Sequence, residues 1–479
     1  MHILIINRWD DDFSDYGAYL DHGEHEVGYV TVPAHLPRVP LTAKAVEAVA
    51  ADADEETILA AARRCRAKLG GLDRVLALSE FNLHVGGRVR DEFGVPGPGA
   101  EDLLRFRDKP LMKETVARAG LRVPYLAVVR NPAEVAAFAA EAAGAVVVKP
   151  RAGAAARGVR IIPHGADASR YLDGVDFGDL HAEEFVAGTI WHVDGLIWRG
   201  GPWFACASRY IGTPLGFSLG EPTASVCDHG PDGARIREFA LRCLDALGLT
   251  DGAFHLEVID APGGPVFLEV GARVGGGHIA WTVRDIHGID LVEAWIRVQS
   301  GQEPPIPAPF TDRVGGALLI PGPAGRRVRR VQSLLGRVEG LYEEVLAAPG
   351  TVLGADEELL AGLRFAGRDP ERVRAAMAHA VELAAAEFEE VEEVGDVGDV
   401  AGADSGIGAA FAPVPGPRRA ADDAAQGTDV PQADAAEAGA AEAGAAQVSV
   451  PQVSAPQVSA ADAEAVEATD IEAGSSVHI

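Results

Sequence analysis

Lysine is scarce in this chain: of 42 basic residues only five are Lys, at positions 44, 68, 109, 113 and 149, and the rest are Arg. A lysine kept inside an apolar run therefore reads as a chosen point charge. Cysteine is sparse too. Cys65, Cys206, Cys227 and Cys243 lie far apart with no CxxC, which indicates neither a zinc site nor a disulfide framework and fits a reducing compartment. No stretch reaches about eighteen uninterrupted apolar residues, and the opening MHILIINRW has no basic leader, so a cytoplasmic protein without membrane contact is expected. The formal net charge of −29 leaves little cationic surface for nonspecific binding of nucleic acid. There is no Gly-Lys dipeptide and hence no P-loop, no GxGxxG in residues 1 to 104, and no HExxH or EF-hand spacing.

What is present is an enzyme-sized chain of 479 residues, 48% hydrophobic, long enough for several cores. Its most informative stretch is FHLEVIDAPGGPVFLEVGARVGGGHI, residues 254 to 279. Two strand-like apolar runs flank the turn Ala261-Pro262-Gly263-Gly264, and a hairpin closing there sets Glu257 and Glu269 roughly opposite each other. Like charges across a ladder repel, and buried carboxylates need a partner. A divalent cation answers both demands, since hard ions such as Mg²⁺ take carboxylate oxygens and leave positions for nucleotide phosphates. The other reading is a solvated hairpin with both Glu in water. Arg273 and then Gly275-Gly276-Gly277 add a fixed cation beside backbone that a ligand can approach closely.

Lys149 ends the run Val146-Val147-Val148, where a strand would carry an ammonium into a site. Lys44, Lys68 and Lys113 read equally well as surface lysines. The loop RAGAAARGV follows Lys149, with Gly153, Gly158 and small residues between them leaving N–H groups free to close over an anion.

Along the chain, residues 1–104 alternate strand-like runs (Ile3 to Ile6, Val27 to Val32, Val75 to Ala77) with helix-like stretches such as Ala43 to Leu69, the pattern of a parallel α/β domain. A central region, 105–302, opens with RDKPLMKETVARAG, a helix capped by Asp108, with Pro110 in its first turn and Gly120 past its end. The Pro-rich EPPIPAPF leads to a smaller α+β region, 303–394, whose last helix starts at Asp369-Pro370-Glu371. From 395 to 479, Ala, Gly, Pro and acidic residues dominate and QVS-containing units repeat at Gln447, Gln452 and Gln457, which predicts an acidic disordered tail. Gly216-Phe217-Ser218-Leu219-Gly220 matches the GxSxG elbow of serine hydrolases, but Pro214 and Pro222 interrupt the strand and helix it needs, so Ser218 is expected in a loop.

The order RDKPLMK, VVVKPRAGAAARGV, EEFVAG, FHLEV and FLEVGARVGGG resembles the ATP-grasp superfamily, specifically its carboxylate–amine ligases of the amino-acid ligase kind, over roughly residues 70 to 300. The resemblance implies an α/β and α+β architecture: an N-terminal α/β domain, a central ATP-grasp domain, a small C-terminal subdomain and a tail. It implies ATP and Mg²⁺ (or Mn²⁺) as cofactors. Lys109 and Lys149 would hold phosphates under the 153–158 flap, Glu183 and the Val186 backbone would belong to the adenine strand, and Glu257 and Glu269 would be metal ligands. Arg273 would stabilise acyl phosphate and tetrahedral intermediate, with His229 as a substrate-side candidate. The expected partners are a small-molecule carboxylate and an amine, with a homodimer left open.

The usual EINPR of that family is Glu269-Val270-Gly271-Ala272-Arg273 here. The ribose-side acid is Ile190, and the flap Ser is Ala155 or Ala156. A bicarbonate-activating carboxylase-like enzyme and a nucleotide-binding module without turnover are the alternatives.

Overall fold

The computed structural model describes residues 1–8, 16–307, 311–354 and 359–390. The tail expected from 395 onward, with its repeats, and the ends of the Pro-rich break and of the C-terminal region lie outside them. The chain opens with β1 (His2–Asn7), β2 (Glu26–Thr31), β3 (Ala45–Ala48), α1 (Glu55–Leu69), β4 (Arg74–Leu76), α2 (Leu83–Phe93) and α3 (Ala100–Leu104). These strands form a parallel sheet in the order β3-β2-β1-β4. Ile3 to Ile6 are fully buried because helices cover both faces of such a sheet. The stretch 43–69 is not helical throughout. Its first residues pair as β3 with β2, and the helix starts only where Asp54 accepts a hydrogen bond from the Thr57 N–H, ending at Gly70 with φ 76°.

Next come α4 (Lys109–Arg118), β5 (Leu126–Val129), α5 (Pro132–Glu141), β6 (Val146–Pro150), β7 (Arg160–Ile162) and β8 (Leu180–Glu184). Asp108 caps α4 by accepting from the Leu111 N–H at 2.9 Å, as its sequence predicts. The four strands form an antiparallel sheet, β5-β8-β6-β7, over a core of Val135, Phe138, Val146, Val148 and Ala182.

The chain then runs through β9 (Thr189–Trp198), β10 (Gly201–Ile211), α6 (Pro214–Ser218), β11 (Thr223–Cys227), α7 (Pro231–Leu247), β12 (Gly252–Ala261), β13 (Gly264–Gly271), α8 (Ile279–His287), α9 (Leu291–Gln299) and β14 (Val314–Pro321). It ends in β15 (Arg326–Val331), β16 (Leu341–Leu346), β17 (Leu359–Gly367), α10 (Pro370–Leu383) and β18 (Ala386–Glu390). An eight-stranded antiparallel sheet runs β13-β12-β9-β10-β11-β14-β17-β16, while β15 pairs with β18. Phe254, Leu256, Val258 and Phe267 on the β12–β13 hairpin are all at 0% exposure, each contributing about 1.5–3 kcal/mol by leaving water. They pack in one core with Ile236 and Leu244 of α7 and Leu291 and Trp295 of α9. That core makes the hairpin a rigid platform. Among the described residues no helix is long and apolar enough to cross a membrane.

Two sequence expectations change here. Cys206 and Cys227, twenty-one residues apart, are brought together by the antiparallel β10–β11 ladder and joined as a disulfide, because strand pairing erases separation in sequence. Cys65 and Cys243 are buried and unpaired. Ser218 ends the short helix α6 instead of lying in a loop, and its hydroxyl donates to the Leu215 carbonyl at 2.7 Å. The strand–turn–helix of a nucleophile elbow is absent there.

Candidate active site

The hairpin turn needs two left-handed residues, and Gly263 (φ 87°) and Gly264 (φ 113°) supply them. The resulting register sets Glu257 directly opposite Glu269, with a bulge immediately after Glu257. Glu257 is 8% exposed. Its carboxylate accepts from the Tyr210 hydroxyl at 3.3 Å and lies 3.7 Å from the His255 imidazole. Glu269 is half-buried, 3.7 Å from the Lys109 ammonium. Burial alone would raise the Glu269 carboxyl, but Lys109 and Lys149 hold it below its ordinary value. Two carboxylates thus face each other beside a group of lysines. Oxygen donors in this arrangement suit a hard divalent ion, and the residues present fit one.

Strand β6 carries Lys149 to the same site, where its ammonium meets Glu183 at 2.7 Å. The other oxygen of Glu183 meets Lys113, a residue whose surface reading does not hold: it is at 0% exposure. One carboxylate on β8 therefore serves two buried ammonium groups. Burial would raise the Glu183 carboxyl, yet Lys113 and Lys149 outweigh it and hold it well below the carboxylate range. Burial and then the Lys149 charge push Lys113 down to about 7. Lys44 and Lys68, by contrast, sit on the surface against Glu26 and Glu47.

The loop over this site joins β6 to β7. It is clipped to the start of α4 by the Arg151–Asp108 pair and by Lys109, which donates to the Gly153 carbonyl at 2.6 Å. Ala155 and Ala156 both adopt φ 54° and Gly158 φ 70°, so the tip curls through left-handed backbone that costs a non-glycine residue on the order of 1 kcal/mol. Val186, just after β8, packs with Ile190 and Leu268 against Ile259, Ala261 and Val266.

Arg273 reaches the site from the segment after β13. Its Nε donates to Glu80 at 2.7 Å and its Nη1 to the Val274 carbonyl at 2.9 Å. Glu80 also pairs with Arg107. Sequence reasoning missed Glu80, although a carboxylate just beyond the parallel strand β4 is placed where open α/β sheets bind ligands. It also missed Asp194, 1% exposed, which accepts from His255 at 2.8 Å and contacts His192. Although burial opposes it, Asp194 raises the His255 imidazole to about 10, so a cationic His255 stands beside Glu257. His229 joins neither the lysines nor the glutamates. It contacts Cys227 at 3.5 Å, the His287 ring, and the Arg313 carbonyl at 3.2 Å.

No family model matches the chain. The L-arginine-specific L-amino acid ligase of Bacillus subtilis is 27% identical over 249 residues, which are 50% of this chain and 60% of that protein. Carnosine synthase 1 of Gallus gallus is 29% identical over 214 residues, 39% of this chain and 23% of that protein. The chain thus spans under two thirds of the length of these relatives. The solved L-amino acid ligase from Bacillus licheniformis superposes with a TM-score of 0.66 over 81% of this chain and 99% of its own, at 16% identity. The chain has the ATP-grasp fold of this solved ligase. Within the ATP-grasp fold, its departures have physical partners. A Cβ at Gly271, where the superfamily usually has Asn, would stand 2.8 Å from the Glu80 carboxylate, and two arginines pin that carboxylate in place. Ile190 replaces a polar group with apolar packing on the β12–β13 hairpin.

Proposed function

We propose that this protein is an ATP-dependent carboxylate–amine ligase that joins an amino acid or similar small acid to an amine through an acyl phosphate, releasing ADP and phosphate. The observation that carries the reading is the opposed pair Glu257–Glu269, with Lys109 3.7 Å from Glu269 and Lys149 near enough for its charge to act on the same carboxylate. The relatives named as L-amino acid ligases and carnosine synthase support it. In this reading residues 1–104, 105–302 and 303–394 act as the N-terminal, ATP-grasp and C-terminal parts of a cytoplasmic enzyme, with homodimerisation the state to check by light scattering.

ATP enters as a substrate. Lys109 and Lys149 bind its phosphates beneath the 153–158 loop, and the adenine lies along the strand of Glu183 and the Val186 backbone. Mg²⁺ or Mn²⁺, held by Glu257 and Glu269, would offset charge on the phosphate oxygens. A carboxylate oxygen of the acid attacks the γ-phosphorus while Lys149 stabilises the equatorial oxygens, so electrostatics and positioning carry the step. The amine then adds to the acyl carbon. Arg273, oriented by Glu80, and the neighbouring N–H groups stabilise the oxyanion, and phosphate leaves. The test is chromatography of nucleotides after incubation with amino acids, with hydroxylamine present to trap the activated acid. ADP with hydroxamate is expected. AMP as the main product overturns the mechanism, and tight ATP binding without product across a broad panel of acids and amines overturns the ligase reading.

A further inference from the structure

A second cluster of chemistry lies between the large sheet and α8, and the ligase reaction gives it no work. Cys206 of β10 and Cys227 of β11 sit with Cα atoms 6.8 Å apart. His287, the last residue of α8, brings Nε2 to 4.0 Å from Cys206 Sγ, and the donor atoms of Cys206, Cys227 and His287 all lie within 4.8 Å of one another. His229, two residues beyond Cys227, places Nδ1 3.7 Å from Cys227 Sγ. All three residues of the inner set are under 5% exposed.

Two sulfurs and an imidazole are three of the four donors of a structural zinc site. A tetrahedron with Zn–S about 2.3 Å and Zn–N about 2.0–2.1 Å has donor–donor edges of roughly 3.5 Å. The Cys206 Sγ–His287 Nε2 spacing of 4.0 Å is near that edge, and the two sulfurs, bonded to each other here, can part to it once reduced.

We propose that Cys206, Cys227 and His287 form a zinc site, occupied when the two cysteines are reduced and completed by water or by the neighbouring His229, that ties β10 and β11 to α8. The disulfide and the metal are alternative states of the same two sulfurs. Passing from one to the other takes two electrons from a thiol reductant: its two thiols become a disulfide as the Cys206–Cys227 bond opens, and the two cysteine protons leave as zinc binds. Helix α8 begins six residues after Arg273, so the metal form fixes the helix that follows the oxyanion-binding segment. This zinc site is independent of the ligase reading and of the carboxylate pair proposed for Mg²⁺.

The test uses the full chain, reduced with a phosphine, stripped of metal and titrated with Co²⁺. One equivalent is expected to develop a thiolate-to-cobalt charge-transfer band and tetrahedral visible bands, both abolished by one equivalent of Zn²⁺. Cys227→Ser and His287→Ala should each remove the charge-transfer band or weaken binding at least 100-fold, whereas Cys65→Ser should keep it. The spectrum of the unaltered protein decides the matter even where a variant folds poorly. Cobalt bound without a thiolate band would put the ion on the His192–Asp194–His255 cluster or the carboxylates and would overturn the proposal. So would the lack of stoichiometric binding, or a disulfide that survives excess reductant in the native protein.

Discussion

Replacing Glu183 with Gln removes the carboxylate that directly pairs with both Lys113 and Lys149, whose ammonium groups lie side by side with under 10% of either side chain exposed. Deleting one partner of a buried charge cluster costs about 3–5 kcal/mol, because the charges left behind have no water and only the more distant Glu269 as counter-ion. The pH dependence is the sharper signature. In the wild type, Lys113 is pushed down to about 7, so below that pH it keeps its proton in folded and unfolded chains alike. Without Glu183 its folded value drops further, while the unfolded chain still holds the proton near the ordinary 10.5. The unfolded state then binds more protons, and as pH falls from 7 toward 5 the variant loses about 1.4 kcal/mol per unit beyond what the wild type loses through its buried neutral histidines, His278 and His287. Urea unfolding followed by tryptophan fluorescence at pH 7.5, 6 and 5 measures both effects. The double variant Lys113→Met/Glu183→Gln removes the surplus charge and should recover part of the loss. A Glu183→Gln protein within 1 kcal/mol of wild type, with a parallel pH profile, would show that the lysines do not depend on this carboxylate.

Glu269→Ala should lower metal-dependent ADP release more than 100-fold while Ser218→Ala leaves it unchanged; ATP-independent ester hydrolysis lost in the Ser218 variant would refute the ligase assignment. Glu80→Gln should cut kcat about 10-fold with little change in nucleotide affinity, since it frees Arg273 without touching the phosphate lysines, and an unchanged kcat would exclude that positioning role. Removing residues 396–479 should leave turnover and melting temperature nearly as they were, because that segment is poor in the apolar residues a core needs; a drop of several degrees would contradict the reasoning.

The Glu257–Glu269 pairing was legible because local rules set it: an Ala-Pro-Gly-Gly turn fixes where the hairpin closes, and the two-residue strand period then fixes which side chains meet. Lys149 was legible for a similar reason, as a charge ending a run of valines. Lys113 was not. On α4 it shows only a helical position among mixed residues, and what buries it is a carboxylate seventy positions away. Glu80, Asp194 and the Cys206–Cys227 contact share that character, each defined by a partner distant in sequence. The strand at 45–48 was missed because an alanine-rich segment carries helical propensity, and pairing to β2 overrode it.

Gly271 and Glu80 form a pair whose order of change is constrained. Any side chain at 271 would run into a carboxylate that Arg107 and Arg273 do not let swing aside, so Gly271→Asn alone should damage the site. The same substitution becomes acceptable once Glu80 has become smaller. An engineer restoring the asparagine usual in this fold, or a lineage drifting toward it, must change position 80 first, and the two positions should show strong sign epistasis although they lie 191 positions apart.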